Sequence, residues 1–357
     1  MTDIFSAVQL GDLTLANRIV MAPMTRCRAG AQDEPTPEIA EYYRQRAGAG
    51  LIVSEGVQPS IHGKGYYRTP GIHDPFQIEA WRTVNHGVHV AGGRIVMQLM
   101  HCGRASAEAN KAPGAETVAP SAIASRHALY TPAGMAAPPV PRALETHEIA
   151  GVVEEFVQAS VNAREAGFDG VELHCTSGYL PMQFLATGTN RRSDRYGGSP
   201  QNRARFVVEA LEAMADAIGA GRVGFRISPG SPYNDMQDDE PVETYRALLQ
   251  ATDRLGLAYV HVINVPIPSL DPLPFVRGNW NGPVIGNNEL TLESAGRLLA
   301  TGLVDAVSFG RLFISNPDLV ERFRCGEALT EPDRRTFYAG DALGYTDYPT
   351  LEARMPA

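Results

Sequence analysis

Cysteine is scarce in this chain and never falls in a pairing or metal-binding pattern. Cys27, Cys102, Cys175 and Cys325 are the only four in 357 residues, with no CxxC spacing, which argues against a disulfide-stapled scaffold. Long apolar runs are also missing. Gly, Pro or a charge interrupts each candidate before it reaches membrane-spanning length, so no membrane partner is expected. Positive charge is in the minority. With 31 Lys and Arg against 40 Asp and Glu the formal net charge is −9, whereas a nucleic-acid surface needs clustered basic residues. Only NRRSDR, 190–195, is locally basic, and it reads as a solvated loop. The first residues, MTDIFSAVQLGDL, lack a basic stretch followed by an apolar one. A cytoplasmic protein with reduced thiols is the resulting expectation.

What is present is a regular alternation. Short β-branched or apolar runs begin at Asn17, Leu51, Gly93, Asp169, Arg222, Tyr259, Pro283 and Asp305. Most are continuously apolar, as parallel strands buried on both faces require. Helical periodicity fills the gaps at 146–166, 202–218, 240–255 and 290–300, and Thr146 is a candidate N-cap for the first of these. Eight strands alternating with helices predict a (β/α)8 TIM barrel. A doubly wound sheet with an appended domain is the rival, but no composition break or linker divides the chain. One domain over 1–357 is therefore expected.

Two excursions interrupt the pattern. The segment 8–16, VQLGDLTLA, alternates around Gly11-Asp12 and predicts a hairpin capping the bottom of the barrel. The stretch 105–142 after strand 3 is long and rich in Pro, Ala and Ser. It reads as a lid or a substrate wall at the active-site face.

In a barrel the C-terminal strand ends carry chemistry. Here they bear Pro23, Met24 and Thr25; Glu55 and Gly56; Gln98 and Met100; His174; Arg226; Gly286 and Asn287; and Gly310 and Arg311. The glycines after strands 7 and 8, with a helix start and Arg311, suit a phosphate cradle, against the plainer reading of a tight turn. Gln98 and Arg226 stand in apolar strands and need partners. Two readings are open: a structural pair with a carboxylate such as Glu55, or contact with a polar heterocycle. His174 and Tyr179 are open in the same way, as packing residues or as an oxygen donor and a weak acid. His101-Cys102 and His174-Cys175 end adjacent strands, yet neighbours in a strand point to opposite faces, so no metal is expected.

These residues lie within longer motifs: NRIVMAPMTR, LIVSEGVQ, GYYRTPGIH, GGRIVMQLMHCGR, GFDGVELH, NRRSDRYGGS, FRISP, FGRLFISNPDLV and GYTDYPTL. Together they resemble, nearly end to end, the Old Yellow Enzyme family of FMN-dependent ene-reductases, in its N-ethylmaleimide reductase-like branch. The resemblance implies tightly bound, non-covalent FMN, NADPH or NADH as hydride donor, and a monomer or homodimer acting on small activated alkenes. It implies that Pro23, Met24, Thr25, Gly56, Gln98, Arg226, Asn287, Asn288, Gly310 and Arg311 hold FMN. It places Tyr66, Met100 and Tyr345 in the substrate pocket. His174 and Ser177 would grip the substrate oxygen while Tyr179 protonates the α-carbon. There are departures. Ser177 stands where relatives carry Asn or His, Gly56 where they usually have Ala, Met100 where many have Trp, and Asn288 where many have Gly. Ser177 also keeps a second function open, desaturation or isomerisation by the same kind of flavin barrel.

Overall fold

In the computed structural model, which describes residues 3–351, eight parallel strands close into a barrel. They are β1 (Ile19–Met21), β2 (Leu51–Val57), β3 (Ile95–Leu99), β4 (Gly170–Cys175), β5 (Val223–Ile227), β6 (Tyr259–Ile263), β7 (Val284–Asn287) and β8 (Ala306–Phe309). Each matches one apolar run of the sequence. Their near-continuous burial follows from side chains packing inward on one face and against helices on the other. The doubly wound alternative is excluded by closure, since β8 pairs with β1 and β3 with β4.

Helices cover the outside, and their ends follow local chemistry. Pro200–Ile218 begins on Ser199, whose side chain accepts the Asn202 N–H, and stops at Gly219 with φ +92°. Leu292–Ala300 begins on a Thr291/Ser294 capping box. One expected cap fails. The helix after the excursion runs Ile149–Glu165 with no side-chain cap, and Thr146 instead hydrogen-bonds Asp194. Thr146 stands three residues before the helix, where its hydroxyl donates to Asp194 and accepts from Arg192 Nη2 at 3.3 Å, so its oxygen is already occupied.

Both excursions fold on the barrel. Val8–Leu10 pairs antiparallel with Leu13–Leu15 through Gly11, φ +57°. Leu10, Leu13 and Leu15 pack on Val20, Leu51, Val53, Val96, Ile285 and Ala306, inward residues near the strand starts, so the hairpin closes the barrel floor. In the 105–142 stretch, Leu129–Thr131 pairs with Gly134–Ala136, and Val118–Ala119 pairs in parallel with Arg142–Ala143. These pairings anchor the excursion over the opposite face, as a wall.

A bulge in β2 decides which polar residues face inward. Against β3 the register runs Val53 to Val96, then Gly56 to Gln98, so β2 carries one extra residue. Plain alternation from Leu51 and Val53 would have turned Glu55 into the barrel. The bulge brings Gly56 level with Gln98 instead, and Glu55 turns to the β1 loop.

Candidate active site

Two cavities open at the C-terminal strand ends, and they share lining residues. The larger, about 1500 Å³, is walled by Thr25, Tyr66, Gln98, Met100, His174, Ser177 and Tyr179, among others. The smaller, about 720 Å³, includes Asn287, Asn288 and Gly310. Pro23, Met24, Arg226 and Arg311 line both, so the two form one elongated groove running from the His174 end to the Gly310 end.

The groove floor is polar. Gln98, Glu172, His261 and Ser308, all essentially buried, project inward from β3, β4, β6 and β8. Gln98 Nε2 donates to Glu172 Oε1 at 2.7 Å. His261 Nδ1 lies 2.9 Å from Glu172 Oε2, and its Nε2 lies 2.8 Å from Ser308 Oγ. Arg226, next in register to both His174 and His261, donates from Nη2 to Asn287 Oδ1 at 2.8 Å, while its buried Nε has no partner among the described residues. Burial, opposed by Glu172, pulls the guanidinium down to about 10, so it remains charged at neutral pH.

The carboxylate that pairs with this layer is Glu172, whereas Glu55, one of the partners left open by the sequence, does not reach it. The bulge leaves Glu55 beside Arg26, whose N–H it accepts at 3.4 Å. Burial raises the Glu55 carboxyl to about 7, against the nearby Arg26 and Arg28.

At the other end, His174 and Tyr179 meet edge to face with centroids 4.9 Å apart. Burial, and then the Arg226 charge, hold the imidazole well below its usual value, so it is neutral and carries one N–H. Its Nδ1 has no hydrogen-bond partner among the described residues. The Tyr179 hydroxyl donates to Tyr66 Oη at 3.1 Å, and burial pushes its own proton affinity well up. Ser177 has φ +58°, a left-handed backbone that Asn tolerates better than most residues.

Two of the assigned residues lie outside the groove walls. Gly56 lines neither cavity, and a Cβ there would collide with Met100 Sδ. The two departures at 56 and 100 are thus sterically matched. Tyr345 is fully buried, stacked on Tyr42 at 4.1 Å with the Arg26 and Arg28 guanidiniums over its ring. Arg28 gathers the carbonyls of Thr336, Phe337, Ala339 and Leu343, which turns Tyr345 inward and brings Phe337–Gly340 to the groove instead.

Sequence reasoning missed several wall residues. Asn234, in the loop after β5, donates to the Ser177 carbonyl at 2.8 Å and to Tyr66 Oη at 3.4 Å, tying two sides of the site together. Its SPYND context reads only as a turn. Tyr130 and Met135 face each other across the excursion hairpin and wall the groove. The PAG between them was the available hairpin signal. Glu172, buried in the apolar-looking run DGVELH, gave only its charge as a hint.

Comparisons with known proteins agree on one kinship. The family model described as NADH:flavin oxidoreductase / NADH oxidase family matches residues 3–329. A probable flavin mononucleotide-dependent alkene reductase of Leishmania infantum is 38% identical, over 96% of this chain and 96% of its own. A structure of morphinone reductase in complex with tetrahydroNAD is 44% identical, covers 98% of each chain and superposes with a TM-score of 0.93. An old yellow enzyme homologue from Zymomonas mobilis is 37% identical, with a TM-score of 0.94 over 98% of this chain and 100% of that one.

Proposed function

Because the chain belongs to the NADH:flavin oxidoreductase / NADH oxidase family, we propose that it reduces C=C bonds activated by a carbonyl or nitro group, using FMN and NADH or NADPH. The residues present fit the cofactor. The unpartnered Arg226 Nε suits an electron-rich ring edge, and a Cβ at Gly310 would meet only Met24, with Sδ at 3.4 Å, so the glycine leaves cradle space. Thr25, Gln98 and Arg226 would hold the ring; Asn287, Asn288, Gly310 and Arg311 would hold the phosphate. When bound and reduced by the nicotinamide donor, FMN supplies the hydride for the alkene β-carbon.

The protein residues supply the rest. Neutral His174 donates its N–H to the substrate oxygen, drawing electron density from the β-carbon. Ser177 completes the grip with one short, rotatable donor. Tyr179 gives its proton to the α-carbon, and Tyr66 takes up the hydrogen bond to the phenolate left behind. Met100, Tyr130 and Met135 exclude water and fit the substrate's apolar body.

The observation that carries this reading is the sharing of Arg226 and Arg311 by the two cavities. It lets one elongated anion occupy both while its ring end lies beside His174 and Tyr179. The test is spectroscopic: the purified protein should be yellow, bleach anaerobically with NADH or NADPH, and recover its colour on addition of a cyclic enone or nitroalkene. A flavin that bleaches but is not reoxidised by any activated alkene would overturn the reading.

The Ser177 grip is separately testable. Ser177→Asn is compatible with the left-handed backbone and adds a longer donor. It should strengthen phenol binding and enone turnover by about 2- to 10-fold, the range of one net hydrogen bond. Unchanged values would make Ser177 a bystander.

A further inference from the structure

An ionised carboxylate in the centre of a barrel needs an explanation, because barrel interiors are normally filled with apolar layers. Glu172 is fully buried there. Burial works against its charge, but the adjoining His261, by its electrostatics and then its hydrogen bond, followed by the Arg226 charge and the Gln98 amide, outweighs it and holds the carboxyl below its ordinary range. Burial and Arg226 keep His261 itself low. A neutral imidazole donating from Nδ1 must accept at Nε2, so the Ser308 hydroxyl donates to it. The donors therefore run in a fixed direction from each side and converge on Glu172: Ser308 donates to His261, His261 to one carboxylate oxygen, and the Gln98 amide nitrogen to the other.

That direction fixes what the groove sees. With its NH2 group committed to Glu172, Gln98 turns its carbonyl oxygen to the groove, where it accepts no hydrogen bond from the described residues. An acceptor thus stands beside the Arg226 donors, the complement of an imide edge with N–H next to C=O. We propose that Glu172 is a positioning residue for the flavin: it locks the Gln98 amide in this orientation and offsets the Arg226 charge beneath the pyrimidine edge. The inference rests on the FMN reading above. An offset cation stabilises an anionic reduced ring less than a bare one does, so Glu172 lowers the affinity for reduced FMN relative to oxidised FMN.

The test compares two-electron midpoint potentials of the wild-type and Glu172→Gln holoproteins by anaerobic dye-equilibrated titration. Removing the anion should favour reduced over oxidised FMN by about tenfold, which is about +30 mV for a two-electron couple. Glu172→Asp keeps the charge and should leave the potential close to wild type, which a purely structural role would not require. If Glu172→Gln does not accumulate with FMN, His261→Phe removes the N–H that supports the carboxylate and should shift the ratio in the same direction. An unchanged or lowered potential in whichever variant loads FMN overturns the proposal. A wild-type protein that binds no FMN overturns the underlying reading instead.

Discussion

Tyr179→Phe is expected to slow alkene-dependent reoxidation of the flavin by about 10²–10⁴-fold, the usual worth of a positioned general acid. Its reduction by NADH or NADPH should change little. The substitution removes one oxygen from a buried ring and keeps the edge-to-face contacts with His174 and Tyr66. The pocket shape therefore survives, and the loss is confined to the proton and to the hydrogen bond with Tyr66. Stopped-flow measurement of the two half-reactions separates these cases. Equal slowing of both would assign Tyr179 to binding, and no slowing would assign the proton to another group.

Arg226→Met has the second large expected effect, on cofactor retention. Methionine keeps much of the apolar length but deletes the charge, the unpartnered Nε and the bond to Asn287. A hydrogen bond to a charged group contributes about 1.5–3 kcal/mol, so FMN affinity should fall by about 10- to 100-fold. The loss should be greater for reduced than for oxidised FMN, because Glu172 then lies under the ring without its counter-charge. Calorimetric titration of apoprotein with FMN, followed by a midpoint potential, would check both parts. Wild-type affinity in this variant would place the ring elsewhere.

Much of this architecture was legible in the sequence because barrel strands announce themselves as short apolar runs between amphipathic helices. All eight runs became strands, and the Gly11 turn became the floor hairpin. Strand-end logic was sufficient to bring His174, Tyr179, Gln98, Arg226 and Gly310 to one groove. It failed where the backbone departs from plain alternation. One bulged residue in β2 exchanged Glu55 for Gly56 on the inner face, so of the carboxylates open to Gln98 it is Glu172 on β4, and not the named example Glu55, that meets it. Tyr345 was misplaced for a related reason. The path of the C-terminal segment is set by carbonyls gathered around Arg28, and backbone acceptors leave no trace in a sequence. Asn234 acts across a gap of 57 residues to Ser177, which no local pattern reports.

The sources of the two hydrogens added across the alkene separate hydride transfer from every rival reaction. Two parallel single-turnover reactions separate the sources: one with the nicotinamide deuterated at its transferable position in H2O, the other with unlabelled nicotinamide in D2O. The donor label should appear only in the first, on the β-carbon of a cyclic enone. The solvent label should appear on the α-carbon, from the face opposite the donor label. A rearranged alkene carrying no donor label, or a saturated product labelled at both carbons from solvent, would contradict hydride transfer.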